Sequence, residues 1–395
     1  MKILLLNTYA HGGAGIACSR LSDALQAFGE KADMLTARQF SKWPFYAERI
    51  SFLPFERDKS VRFSFSLANF GHSIVKHPAV QAADVLHLHW INQGFLSLKD
   101  LKQLGNLGKP IIWTLHDMFT GGCHYSADCQ AYLKECGNCP YLRSPGPKDL
   151  SHRIWKRKQE FYPKNMRFVT CSAWLAGVAR QSKLLSNYPV TSIPNPIDIQ
   201  KFKPLGEAER QAFRKSYGIS ENALLLLFVS VKVQEARKGF RHFQQALIKL
   251  KETRPDLPVS LLVMGRSNPE DLAALPYPSH ALGLVKDQAL LTSAYSAADA
   301  YVIPSLEDNL PNTVMESLAC GTPVIGFQTG GIPEMVDHLE NGYIAAQGDS
   351  AALARGINWF AQLSAEKQTA QRKDARIKVE THYANPVVAA RYLAE

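Results

Sequence analysis

The feature that most constrains the fold of this 395-residue chain is a twice-repeated alternation of short apolar runs with helix-forming stretches. Five runs fall in the first half: KILLLN (2–7), DVLHLHW (84–90), PIIWTLH (110–116), RFVTCS (167–172) and VTSIPN (190–195). Five more follow: ALLLLFVSV (223–231), VSLLVMG (259–265), HALGLV (280–285), AYVIP (300–304) and TPVIGF (322–327). Between them lie helical patterns such as GIACSRLSDALQAFGE (15–30) and GFRHFQQALIKLKETR (239–254). Short apolar strands separated by helices predict parallel sheets covered on both faces. The pattern breaks once, in NPIDIQKFKPLGEAER (195–210), where polar and turn residues collect. The expectation is an α/β chain of two doubly wound units, 1–194 and 195–374, with the carboxyl ends of both sheets facing a cleft.

At 46% hydrophobic and 20% charged residues, the composition excludes a disordered chain. The longest apolar runs fall short of the roughly 18 residues that a spanning helix needs. The start, MKILLLNTYAHGGAG, reads as a first strand running into a glycine loop rather than as a secretory signal. Charge is uneven. Residues 1–195 hold 24 Lys and Arg against 13 Asp and Glu, a net +11, while 196–395 hold 21 against 22. The densest basic segment is RIWKRKQEFYPKNMRF (153–168). It is either a solvated face or an attractor for phosphates, nucleic acid or an anionic membrane. No nucleic-acid-binding signature accompanies it, so nucleic acid is not an expected partner.

Seven cysteines are present. Cys18, Cys171 and Cys320 stand alone in apolar patterns and read as small core residues. Cys123, Cys129, Cys136 and Cys139 cluster in GGCHYSADCQAYLKECGNCP. Four reduced thiols ending in Cys-x-x-Cys suit a closed, structural zinc. Unliganded or redox-active thiols are the equal alternative, because Cys123 and Cys129 are spaced more widely than in common zinc modules. A catalytic zinc does not fit, since four thiolates leave no open position.

Two segments point to chemistry. His11-Gly12-Gly13-Ala14-Gly15 follows the first strand and precedes the first helix. Gly13 and Gly15 would let backbone N–H groups approach an anion, and a tight turn is the equal alternative. It is no dinucleotide fingerprint, because Cys18 stands where the last glycine belongs. The later segment PSLEDNLPNTVMESLACGTPVIGFQTGGIPEMVDHLENGYIA (304–345) is more informative. Pro304 ends a strand, Asp308-Asn309-Leu310-Pro311 turns, Asn312 caps, and Thr313 to Cys320 form a helix. Asp308 then lies at a strand's carboxyl end and Glu316 about one turn into the helix. The N–H groups of Asn312, Thr313 and Val314 suit a diphosphate.

These residues resemble the donor-binding region of GT-B glycosyltransferases, specifically the retaining family 4, and the resemblance covers nearly the whole chain. The family's Glu-x7-Glu is matched by Asp308 and Glu316, its Lys-Gly by Lys238-Gly239, and its base-reading loop by Gly283-Leu284-Val285. Lys232 stands near a family arginine, keeping the cation without the bidentate fork. Tyr295-Ser296-Ala297-Ala298-Asp299 fits Tyr-x-x-Ala-Asp and reads as structural. Asn195-Pro196-Ile197-Asp198 resembles the family's hinge turn, with Pro for Gly. Thr114-Leu115-His116-Asp117 resembles its His-bearing strand end. The Cys cluster resembles that of bacterial members that build capsule, exopolysaccharide or O-antigen chains. The segment 372–395 resembles the family's C-terminal crossover helix, which assigns 375–395 to the first domain.

The resemblance implies two Rossmann-like domains and transfer of a hexose, with retention, from a UDP- or GDP-sugar to a growing glycan on a polyprenyl diphosphate. The leaving diphosphate gains negative charge, so catalysis needs cations and N–H dipoles. Lys238, Lys232, the Thr313 helix start and the Gly12–Gly15 loop would supply them, with Asn309 and Leu310 in the same donor loop. Glu316 would accept hydrogen bonds from the ribose, and Asp308 would contact the donor sugar. His116 would meet the sugar's C6 hydroxyl or an acceptor group, its ring oriented by Asp117; a core histidine is the plainer reading. His87 and His89 read as structural. No carboxylate cluster suits Mg²⁺, so no catalytic cofactor is expected. The basic half would hold a cytoplasmic protein at the anionic inner face of the membrane. The rival readings are a sugar-nucleotide epimerase of the same architecture and a non-catalytic transferase-like subunit.

Overall fold

Strands in the computed structural model, which describes residues 1–62, 64–118, 124 and 129–395, assemble into two sheets, each six-stranded and parallel throughout. The first holds β1 (Lys2–Asn7), β2 (Lys31–Thr36), β3 (Val85–Leu88), β4 (Ile111–Leu115), β5 (Met166–Thr170) and β6 (Val190–Ser192), in the order β2-β1-β3-β4-β5-β6. Alternate residues of β1 enter different cores. Leu4 and Leu6 pack with Leu86, Leu88, Trp113 and Phe168. Ile3 and Leu5 pack with Cys18, Leu21, Val169 and Val388. Both faces are therefore covered, as the apolar runs require.

The second sheet holds β7 (Leu224–Lys232), β8 (Val259–Arg266), β9 (Ser279–Gly283), β10 (Ala300–Ile303), β11 (Val324–Phe327) and β12 (Gly342–Ala345), in the order β12-β11-β10-β7-β8-β9. Strand order reverses between β1 and β3 in the first sheet and between β7 and β10 in the second. In open parallel sheets the crevice at such a reversal, outside the strands' carboxyl ends, is where ligands bind.

The chain divides into two compact units, Met1–Pro196 with Val388–Glu395, and Ile197–Val387. Three expectations are corrected. β2 and β12, both at sheet edges, escaped the sequence reading: KADMLT is half polar, and GYIA is four residues long. The first helix spans Gly12–Ala27, so the glycines form its first turn instead of a loop before it. The segment 372–395 is not one helix. Ala365–His382 and Asn385–Leu393 are separated at Tyr383–Ala384, where Ile197 exchanges backbone hydrogen bonds with Tyr383 and Asn385. Pro386, the second residue of the later helix, lacks the N–H that one continuous helix would donate to the carbonyl four residues earlier, so it suits a helix start and not a helix interior. Arg376 donates to the carbonyls of Ile199, Phe202 and Ala319 and ties the longer helix to the second unit. Among the described residues, no helix is long and apolar enough to cross a membrane.

Candidate functional site

In the second unit, the charged groups of the later motif gather at the β7/β10 reversal. β7 runs into a short turn, Ala236–Lys238, and then Gly239, whose φ of 70° is left-handed. A Cβ on Gly239 would overlap the Pro304 carbonyl oxygen, so only glycine lets this turn lie against the end of β10. The Leu306 N–H donates to Arg237 O at 2.7 Å and closes the same contact. From the other side, Gly330 lies against the Asp308 carbonyl, and the Gly331 N–H donates to Asn309 O at 2.6 Å. The loop after β10 is thus held between two glycine turns.

This clamping brings Lys238 Nζ to 2.6 Å from Asp308 Oδ2, with side chains 21% and 12% exposed. The sequence assigned them separate duties, a diphosphate and a sugar; the structure joins them as an ion pair. Asn309 and Leu310 are buried beside it. The following helix is Asn312–Ala319, and its N-cap is Pro311, with no side-chain cap. Asn312 is therefore the first helical residue and not the cap. The Val314 N–H donates to Pro311 O at 3.0 Å, which removes one of the three amides expected for a phosphate. Thr313 Oγ1 accepts from Tyr301 Oη at 3.0 Å.

Glu316 is buried, and Tyr295 Oη donates to its Oε2 at 2.9 Å. Burial first, and the nearby Glu316 charge second, push the Tyr295 phenol far above its ordinary value, so it remains a donor. Tyr295 was read as structural only; its side chain positions the Glu316 carboxylate. Lys232, exposed at the end of β7, lies in register with exposed Arg266 of β8. A guanidinium thus stands opposite the lysine that occupies the family arginine's region. Gly283 ends β9 at a bulge with a left-handed φ of 61°, and Leu284 beyond it is exposed. Val285 is half-buried.

In the first unit, the residues at the β1/β3 reversal are glycines and histidines. Gly13 lies exposed in the first helical turn, and Gly15 packs so closely on the Tyr9 and Ala10 carbonyls that a side chain would collide with them. At the carboxyl ends of β3 and β4, three imidazoles form a column, His87 within β3 and His89 and His116 just past the strands. His87 and His89 have ring centroids 4.5 Å apart, and His89 and His116 5.2 Å. His89 Nδ1 lies 2.9 Å from His116 Nε2, so one ring donates to the other. His87 Nε2 bonds Thr114 Oγ1, which also meets Tyr392 Oη. Burial pushes His87 down to about 3 and His116 down to about 4, the latter against an upward pull from Asp117. Asp117 also meets partners that the sequence did not suggest. Its Oδ2 accepts from Trp90 Nε1 at 2.8 Å and bonds His124 Nδ1 at 2.7 Å, while His89 holds the His116 ring. His89, read as structural, is the contact that sequence reasoning missed; the signal was its i, i+2 spacing from His87 on one strand face.

Cys18, Cys171 and Cys320 are buried, as core residues should be. Of the clustered thiols, Cys139 is buried and Cys129 and Cys136 are half-buried, while Cys123 lies outside the described residues. Among the described residues, no three His, Cys, Asp or Glu side chains are placed to share a metal ion.

The chain thus consists of two doubly wound units, the second with a cation, two carboxylates and a helix start about its strand reversal. Residues 11–201 match the model for "Glycosyltransferase Family 4" and residues 223–362 that for "Glycosyl transferases group 1". Together these span most of the chain, which belongs to this glycosyltransferase family. A relative, the D-inositol 3-phosphate glycosyltransferase of Pseudarthrobacter chlorophenolicus, is 26% identical over 66% of this chain and 58% of its own length. The amylovoran biosynthesis glycosyltransferase AmsK of Erwinia amylovora is 34% identical over 28% of each chain. The matches thus span under two thirds of these relatives. HepE of Anabaena, solved with UDP, shares the fold with a TM-score of 0.64 at 17% identity, covering 100% of this chain and 99% of its own. The fold is GT-B.

Proposed function

We propose that the protein is a retaining hexosyltransferase, taking a sugar from a nucleoside diphosphate and adding it to a hydroxyl of a surface glycan growing on a polyprenyl diphosphate. The observation that carries this reading is the cluster at the β7/β10 reversal: Lys238 paired with Asp308, the start of the helix Asn312–Ala319, and Glu316 held by Tyr295. The bond that breaks joins the anomeric carbon to a phosphate oxygen. Negative charge then grows on the diphosphate, and Lys238, the Thr313 N–H and the Lys232–Arg266 end of the sheet would stabilise it. Glu316, anchored from behind, would accept from the ribose hydroxyls. Asp308 would exchange Lys238 for the donor sugar when the diphosphate arrives. The loop at Gly283, Leu284 and Val285 would receive the base. His116, neutral near pH 7, would offer a hydrogen bond to a sugar or acceptor hydroxyl.

That HepE was solved with UDP supports uridine as the carrier's base. The amylovoran relative's name supports an extracellular polysaccharide as the product. The +11 first half supports an approach to anionic lipid, where a polyprenyl-linked acceptor resides. The test is a thermal-shift series with UDP-, GDP- and dTDP-sugars on the full chain and on Lys238→Ala. A ligand well above its dissociation constant should stabilise the protein by about 2–3 kcal/mol. One nucleotide series should raise the unfolding midpoint, and Lys238→Ala should abolish the rise. No shift with any nucleotide sugar would sink the reading.

A further inference from the structure

The helix Trp43–Phe52 has two unlike faces. Pro44, Ala47, Glu48 and Phe52 are buried. The Glu48 carboxylate accepts the N–H groups of Leu67 and Ala68 at 2.6 and 2.7 Å, and those of Asn69 and Phe70 at longer range. Phe52 stacks on Phe65 with ring centroids 5.2 Å apart. These contacts fix the helix's rotation about its own axis, and the rotation turns apolar side chains outward. Trp43 is 68% exposed, Tyr46 52%, Ile50 61% and Leu53 43%. Steps of three, four and three residues place all four on one stripe. Exposed Pro54 and Phe55 extend it. A surface helix ordinarily gives water its polar face. Here a carboxylate is inside and an aromatic and branched apolar stripe is outside.

Cations border the stripe. The Arg143 N–H donates to Phe55 O at 2.9 Å, and the Arg153 guanidinium lies 5.8 Å from the Phe55 ring. Ile154, next to Arg153, shares an apolar cluster with Phe52 and Phe65. Both arginines are exposed. Tertiary packing therefore carries the start of the densest basic segment to the edge of the apolar stripe, although some 100 residues separate them in the chain. Aromatic rings, aliphatic side chains and flanking cations in one plane match the boundary of an anionic bilayer, in which rings sit among headgroups and cations meet phosphates. We propose that the outer face of Trp43–Phe52, with Phe55, Arg143 and Arg153, is where the first unit lies on an anionic lipid surface. This rests on the reading that the protein meets a membrane, and adds which residues enter it.

The test is co-sedimentation of the full chain with vesicles of phosphatidylcholine and phosphatidylglycerol in equal parts, and of phosphatidylcholine alone, across salt concentrations. The unaltered protein should bind the mixed vesicles, and its tryptophan emission should shift to the blue as Trp43 leaves water. The triple variant Trp43→Ala, Ile50→Ala, Leu53→Ala should bind at least about tenfold more weakly, with an unchanged unfolding midpoint. Arg143→Ser with Arg153→Ser should weaken binding and flatten its salt dependence. If the triple variant binds as tightly as the unaltered protein, the helix assignment falls while the membrane reading stands. If the unaltered protein binds no anionic vesicle, both fall. If it self-associates and the triple variant does not, with equal vesicle binding, the stripe joins copies of the chain and the proposal is overturned.

Discussion

Lys238 and Asp308 neutralise each other at 2.6 Å, and that pairing governs what either can do. On the proposed function, an incoming diphosphate would draw Lys238 from the carboxylate and free Asp308 for the sugar. Asp308→Asn removes the competitor, so UDP alone should bind roughly three- to tenfold more tightly while sugar transfer falls by roughly a hundredfold. Calorimetric titration and turnover measurements read the two effects separately. Unchanged product formation would show that Asp308 takes no part in the transfer. Tyr295 makes a related point: the Tyr-x-x-Ala-Asp pattern was visible, but nothing local shows that its phenol reaches a carboxylate 21 residues away.

Among elements, the glycine turns set the site more than the strands do. Gly239→Ala would meet the Pro304 carbonyl at a left-handed φ, and the turn carrying Lys238 would have to move. A loss of about 2 kcal/mol or more is expected, with nucleotide binding lost alongside it; denaturant unfolding checks the first and titration the second. The ten apolar runs were legible because a buried parallel strand writes its burial into consecutive residues. β2 and β12 were not, because KADMLT is half polar and GYIA is only four residues long. The break before Pro386 is legible in the sequence, because proline cannot donate the N–H that one continuous helix over 372–395 would need.

For the molecule as a whole, pH should act through the first unit. His87, His89 and His116 all lie below the ordinary 6.5, chiefly through burial, with His116 at about 4 and His87 at about 3. The unfolded chain takes up protons as the pH drops through about 6.5, while the folded column stays neutral until much lower. Their contribution to stability is therefore whole above pH 6.5 and declines toward pH 4. The free energy of opening at β3 and β4, read from hydrogen exchange after dividing out the intrinsic rate at each pH, should fall between pH 7 and pH 5, and His87→Asn should flatten that dependence. A pH-independent opening free energy would show that the imidazoles are not held neutral by the fold.

Order along the chain was enough to establish the repeated α/β alternation, the strand–turn–helix at 304–320 and the basic first half, because periodicity and turn chemistry are local properties. The pairing of Lys238 with Asp308, of Tyr295 with Glu316 and of His89 with His116 came from the folded chain alone. So did the outward turn of Trp43, Tyr46 and Ile50. Each depends on distant segments meeting at a strand reversal or on a helix's rotation against its neighbours. Those are set by packing of the whole unit, and no short stretch of residues encodes them.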